Sequence, residues 1–270
     1  MESTQNVRQK HQPNTATRPR VVLLNPPGDE IYIRDYYCSK VSKTTYVYTP
    51  VDLLMMSARL TPFADLVAID AIGETLSVAE TLERIRSFNP DVVIILTAAV
   101  SWDVDLVFLK KLRTFFNGRI LASGDIVMDA PAKFLALVPE ISAVVNDFTT
   151  AEVVPYCLGE TGAFHDITFR GSNGIVEAVK TEQAEQGRSY DIPIPRHDLF
   201  PLGRYRYPFV RRHPFATVLT DFGCAFKCSF CIQSYLDFKA RSAENVLEEL
   251  RYLRARGIRD IYFSDQTFAY

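Results

Sequence analysis

Short apolar runs alternate with longer segments of helical spacing through the first part of the chain. Residues 20–25 (RVVLLN), 66–69, 91–97 (DVVIILT), 119–122 and 143–145 are β-rich runs of the kind buried on both faces of a parallel sheet. Between them, residues 53–60, 78–88, 104–115 and 130–137 carry apolar side chains at helical intervals, and a further helix begins near Thr150. Ser77 is placed to cap the segment in which Leu82 and Ile85 share a face. Five strands alternating with helices within about 140 residues predict an α/β fold, an open, doubly wound parallel sheet with right-handed crossovers. A ligand of such a sheet lies beyond the carboxyl ends of the strands, here the loops 25–29, 70–73, 97–102 and 123–127.

Beyond residue 160 the pattern changes. Residues 166–170 and 174–176, joined through Gly171-Ser172-Asn173, predict a small β-hairpin. Residues 180–214 are rich in proline, charge and aromatics and predict a linker laid over a surface. From Phe215 the alternation restarts with a strand at 216–220, a cysteine loop, a helix and a strand at 260–263. Ser242 suits the N-cap of that helix, Val246, Leu250 and Leu253 form one face, Arg251, Arg254 and Arg256 suit its negative end, and Gly257 follows it. The expected organisation is a disordered tail (1–19), an α/β domain (20–160), a hairpin and linker (161–214) and the start of a second unit (215–270).

Composition narrows the setting. A net charge of −2 gives no general field for nucleic acid or an acidic membrane, and Arg204, Arg206, Arg211 and Arg212 read as solvated linker residues. The polar N-terminus has no apolar core for a signal peptide, and the longest apolar run, residues 92–100, is about half of what a membrane span needs. Five cysteines, three of them crowded together, argue against a disulfide framework and for a reducing cytoplasm.

The candidate chemistry lies in that crowded triplet. Cys224, Cys228 and Cys231 stand at C-x3-C-x2-C spacing just after a strand. Five cysteines scattered at random over this length give such a triplet roughly once in a thousand sequences, and thiolates this close need a metal or one another. Zinc would want a fourth protein ligand, and the nearest, His213, lies before the strand. An iron–sulfur cluster usually takes four thiolates. Three in one loop leave an iron open to an external ligand, as a chemically active cluster requires.

With Phe230 at its aromatic position, the loop resembles the signature C-x3-C-x-aromatic-C of the radical S-adenosylmethionine (SAM) superfamily. The resemblance implies a [4Fe–4S] cluster on Cys224, Cys228 and Cys231, with the methionine end of SAM on the open iron, Phe230 near the adenine, and reductive cleavage to a 5′-deoxyadenosyl radical. It implies a (β/α) TIM-like barrel in which Asp265, at the carboxyl end of the second strand, receives the SAM amino group; an N-cap for the next helix is the alternative role. A reducing partner such as flavodoxin or ferredoxin and a small-molecule substrate follow from the same resemblance, as does sensitivity to oxygen.

The preceding half resembles the cobalamin-binding, flavodoxin-like Rossmann domain that stands before many radical SAM domains. The resemblance rests on Asn25-Pro-Pro-Gly28, Ile69-Asp-Ala-Ile-Gly73, Asn89-Pro-Asp-Val-Val93 and the linker Ile194-Pro-Arg-His-Asp-Leu199. The nearest likeness is to the group of the anaerobic magnesium-protoporphyrin monomethyl ester cyclase and the hopanoid methylases. It implies cobalamin-dependent C-methylation, or oxidative cyclisation, of an unactivated carbon, with Pro26, Thr97 and Gly124 touching the cobalamin. Three departures stand out. No histidine lies in residues 25–35 to ligate cobalt, Ser123-Gly124 replaces a glycine pair, and Asn146-Asp-Phe-Thr-Thr-Ala-Glu152 replaces an acidic glycine-rich turn.

About forty residues follow Cys231, whereas a full barrel takes about 250. The barrel is therefore expected to be incomplete and the chain alone inactive. Two rival readings remain at this level: a non-catalytic corrinoid or small-ligand module with a vestigial cluster stub, and a zinc-stabilised interaction protein. Cys38 and Cys157 read as packing or tolerated thiols, Trp102 as packing or ligand contact, and His197 and His213 as surface or packing residues. Tyr32, Tyr36, Tyr37, Tyr46 and Tyr48 either line a substrate mouth or cover the sheet.

Overall fold

The computed structural model describes residues 18–179, 189–231, 233 and 236–268. The expected disordered tail lies outside the described residues up to residue 17, as do residues 180–188 of the linker. In chain order the elements are β1 (Arg20–Asn25), the short β2 (Tyr32–Ile33) and β3 (Lys40–Val41), α1 (Val51–Leu60), β4 (Asp65–Asp70), α2 (Ala71–Glu74), α3 (Val78–Phe88), β5 (Val92–Leu96), α4 (Trp102–Arg113), β6 (Arg119–Ser123), α5 (Pro131–Leu137), β7 (Ala143–Val145) and α6 (Val153–Leu158). They continue with β8 (Ile167–Gly171), β9 (Gly174–Val176), β10 (Ala216–Val218), β11 (Asp221–Phe222), β12 (Lys239–Ala240), α7 (Ala243–Ala255) and β13 (Ile261–Phe263).

The main sheet runs β4-β1-β5-β6-β7-β8-β9. Its first five strands are parallel, in the flavodoxin-like order whose switch point lies between β1 and β5. Burial on both faces explains the unbroken apolar runs. Val21 and Leu23 face α1 and α6, whereas Val22 and Leu24 face α3 and α4. The hairpin does not stand apart. β8 pairs antiparallel with β7, and β9 closes that edge.

Local chemistry sets the helix ends. Ser77 and Glu80 form a reciprocal capping box on α3, and Asn89 ends it in the left-handed region at φ 48°. α4 starts two residues earlier than its apolar spacing predicts, because Asp103 and Asp105 suit the positive end of the helix. It stops at Arg113, and Phe116 then turns inward against the sheet. α5 opens on Pro131, whose missing N–H costs nothing at a helix start.

The second unit begins with parallel strands β10 and β13, with α7 between them in sequence. Ala216, Val218, Leu253 and Ile258 form its small core. Among the described residues no helix is long and apolar enough to cross a membrane.

Candidate functional site

β10 is shorter than its β-rich run predicts, because Leu219 and Thr220 are captured by side chains rather than by β13. The chain then passes through β11 into Gly223, whose φ of +76° would strain any other residue. A Cβ there would also lie 2.4 Å from the Asp237 carbonyl oxygen. This turn delivers Cys224, half-buried, with its Sγ 3.2 Å from Thr267 Oγ1 and accepting the Phe226 N–H at 3.4 Å. The Cys231 N–H donates to the Cys228 carbonyl at 3.1 Å, so the two later cysteines share one tight turn. None of the three is in a disulfide, and Phe230 stands 91% exposed beside Cys231.

The three thiols stand together on a loop at a strand's carboxyl end, and one of them accepts an amide hydrogen bond. Among the described residues no three His, Cys, Asp or Glu side chains are gathered closely enough to hold an ion.

Beside the loop lies a pair of carboxyls. Asp265 follows β13 and accepts the Thr220 N–H at 2.6 Å and the Asp221 N–H at 3.2 Å on one oxygen. Its other oxygen accepts the Thr220 hydroxyl at 2.7 Å. Burial raises the Asp265 carboxyl above the ordinary range, against these hydrogen bonds. Burial, and then the Asp265 carboxylate, push Asp221 up to about 7. One oxygen of Asp221 is buried without a partner. Asp221 had no signal in the sequence beyond its place before the glycine turn.

The carboxyl ends of β1, β5 and β6 bring Pro26, Thr97 and Gly124 into one cluster, and all three are buried. Gly124, at φ +126°, lies so close to the Thr97 carbonyl that a Cβ would be 1.9 Å from its oxygen. Thr97 donates both N–H and hydroxyl to the Ser123 carbonyl, at 2.8 and 3.2 Å. Residues 32–39 lie across these ends. Arg34 donates to the Asn25 side chain and the Pro26 carbonyl, both at 2.9 Å, and to Asp105 at 2.6 Å, with both charged side chains fully buried. The Ser39 N–H donates to Asp125 at 3.1 Å, and the other oxygen of Asp125 accepts the Ala99 N–H at 2.9 Å. Arg34 was missed in the sequence, where nothing marks an arginine nine residues past a strand end as the occupant of a switch point.

The tyrosines cover the sheet. Tyr32, Tyr36, Tyr37 and Tyr48 are buried and Tyr46 is exposed. Tyr36 stacks on Phe222 at 5.2 Å with rings 4° apart, and its hydroxyl accepts the Gly223 N–H at 3.3 Å. Tyr36 therefore joins the segment over the strand ends to the entry of the cysteine loop. Trp102 packs on Phe134, Cys157 is buried and Cys38 exposed, and His197 is buried against Glu249. Two open clefts flank the β1 end. One is lined by Pro27, Gly28, Val104 and Phe108, the other by Ile31, Ile72, Ser77 and Arg206.

No family model matches the chain. In fold the chain is similar to the cobalamin-dependent radical SAM enzyme OxsB, whose structure with aqua-cobalamin bound superposes with a TM-score of 0.67 at 17% identity, over 93% of this chain and 34% of that one. The apo, selenomethionine-labelled OxsB superposes at 0.63. The resemblance to the cobalamin-binding subclass is thus borne out in the architecture, a mixed α/β structure around a mostly parallel sheet. In sequence the chain is similar to the "Uncharacterized methyltransferase PH0819" of Pyrococcus horikoshii, 31% identical over 261 residues, covering 92% of this chain and 54% of that protein. It is also similar to the tryptophan 2-C-methyltransferase of Streptomyces laurentii, 30% identical over 81 residues, 29% of this chain and 14% of that protein. The chain spans about half the length of the Pyrococcus relative.

Proposed function

We propose that this chain carries the cobalamin-type Rossmann unit and the cluster-binding loop of a radical SAM enzyme that methylates an unactivated carbon. The observation that carries the reading is the placement of Cys224, Cys228 and Cys231 on a loop after β10, with Asp265 at the matching end of the parallel neighbour β13. The methyltransferase names of both sequence relatives favour methylation over cyclisation.

When bound, a [4Fe–4S] cluster would supply the electron that cleaves SAM, and cobalamin would supply a carrier for the methyl group. The three thiolates would hold the cluster. Phe230, exposed beside Cys231, is available to an adenine ring. Asp265 keeps its carboxyl on the entry to the loop, where an ammonium group would add a fourth donor to the three it already accepts. Pro26, Thr97 and Gly124 would form the floor beneath a corrin ring, with residues 32–39 moved aside. A flavodoxin or ferredoxin would deliver electrons, and the substrate would be a small molecule.

The test is anaerobic purification of the complete gene product, loading with iron and sulfide, and measurement of 5′-deoxyadenosine formed from SAM under a chemical reductant. The expected result is about four irons per chain and SAM cleavage that is lost in Cys228→Ala. Cleavage no higher in the wild type than in that variant rejects the reading.

A further inference from the structure

Three buried side chains outside the cysteine loop form one chain of polar contacts that ends on the loop's entry. His197, in the linker turn His197–Leu199, places Nε2 2.7 Å from one oxygen of Glu249 on α7. The other oxygen accepts from Arg241 Nη1 at 2.5 Å. The Glu249 and Arg241 side chains are wholly buried. Ions so placed are stable only when paired and fully hydrogen-bonded. The remaining donors show what this pair holds. The Arg241 guanidinium donates to the Leu219 carbonyl at 3.0 Å, and its backbone N–H donates to the Thr220 carbonyl at 2.8 Å.

Asp265 takes the amides of Thr220 and Asp221 on the same stretch. Residues 219–221, which feed the Gly223 turn, are therefore gripped by their carbonyls from Arg241 and by their amides from Asp265. Behind the grip, Asn245 accepts Arg241 Nε at 2.7 Å and binds both the N–H and the carbonyl of Ile192. The Arg196 N–H reaches Ser57 on α1 at 3.0 Å. The guanidinium makes four such bonds, to the Glu249 carboxylate, the Leu219 carbonyl, the Asn245 side-chain oxygen and the Asn245 carbonyl, one more than the three donors of a lysine ammonium can supply.

We infer that Arg241 is a positioning residue of the cysteine loop, held in place by Glu249 and His197, so that the linker and α7 set the direction in which the chain enters Cys224. Its importance to the reaction rests on the proposed function; its effect on the loop does not. The experiment compares the complete gene product with an Arg241→Met/Glu249→Gln double variant. Arg241→Met alone would strand a buried carboxylate and unfold the protein for that reason, whereas the double change leaves a neutral amide that keeps a hydrogen bond with His197 Nε2. In iron-free protein, amide hydrogen exchange over residues 219–224 is expected to be at least about 10-fold faster in the double variant, with exchange in β1 and β5 unchanged. After anaerobic loading, iron is expected to pass to a chelator about 10–100-fold faster. A folded double variant with wild-type exchange at 219–224 overturns the inference. If the double variant does not fold, Arg241→Lys, which keeps a charge beside Glu249 but loses the fork, carries the same comparison with the same two outcomes. A wild type that takes up neither iron nor sulfide rejects the proposed function, while the exchange comparison still decides the positioning role.

Discussion

Asp52 lies in α1 with no exposed surface, one oxygen accepting the Ser123 hydroxyl at 2.8 Å and the other without a partner. Burial pushes its carboxyl up to about 8, and the nearby Asp35, itself raised by burial, adds to the effect. A carboxyl raised in the folded state binds its proton more tightly there than in the unfolded chain. Its contribution is full below the unfolded value near 3.8 and is lost as pH rises through about 8. Asp221, pushed up to about 7, acts in the same direction. Asp52→Asn keeps an acceptor for Ser123 and cannot ionise. In urea unfolding it is expected to exceed wild-type stability by about 1–3 kcal/mol at pH 8, and the gap is expected to close as pH falls towards the unfolded value near 3.8. An equal pH dependence in both proteins would mean that Asp52 is already ionised in the fold. None of this was legible from the sequence, where Asp52 is one polar position in an apolar segment. Burial of that position follows from α1 being covered on both sides.

At the scale of elements, the segment between β1 and α1 decides what the sheet's carboxyl edge presents. Arg34 on that segment pairs with Asp105 on α4, with neither side chain exposed, and also holds Asn25 and Pro26. Removing one partner leaves the other charge uncompensated. Arg34→Met is therefore expected to cost about 3–5 kcal/mol in denaturant unfolding, and Arg34→Met/Asp105→Leu to recover most of it. A single variant as stable as wild type would show that the pair does not hold the segment. The apolar periods of β1, β5 and α3 were readable because each depends on neighbours along the chain. The course of residues 32–39 was not, because its tyrosines suit a substrate mouth and a sheet cover equally well. The choice came from contacts such as Tyr36 on Phe222, far apart in sequence. The end of β10 moved for the same reason: Arg241 and Asp265, both distant in sequence, outcompete β13 for the backbone of residues 219–221.

Across the whole molecule, the strand ends of the first sheet and the cysteine loop face a common boundary occupied by Tyr36, Phe148 and Phe222. A corrinoid seated on Pro26, Thr97 and Gly124 would have to displace residues 32–39, which bury them. Titration with hydroxocobalamin is expected to speed amide exchange across residues 32–39 while β1 and β5 stay protected. Binding that leaves residues 32–39 unchanged would put the corrinoid elsewhere on the protein. By itself the sequence determined the alternation of strands and helices, the caps of α3 and α7, and the three thiols of the cysteine loop with the aromatic beside them. Each of these is carried by spacing along the chain, through hydrophobic period, capping hydrogen bonds or ligand count. Only the tertiary structure decided the strand order with its hairpin edge, the arginine at the switch point, the carboxyl pair at Asp221 and Asp265, and the grip of Arg241 on the loop entry. Those depend on distances between residues far apart in sequence and on loss of solvent around them, neither of which a linear pattern encodes.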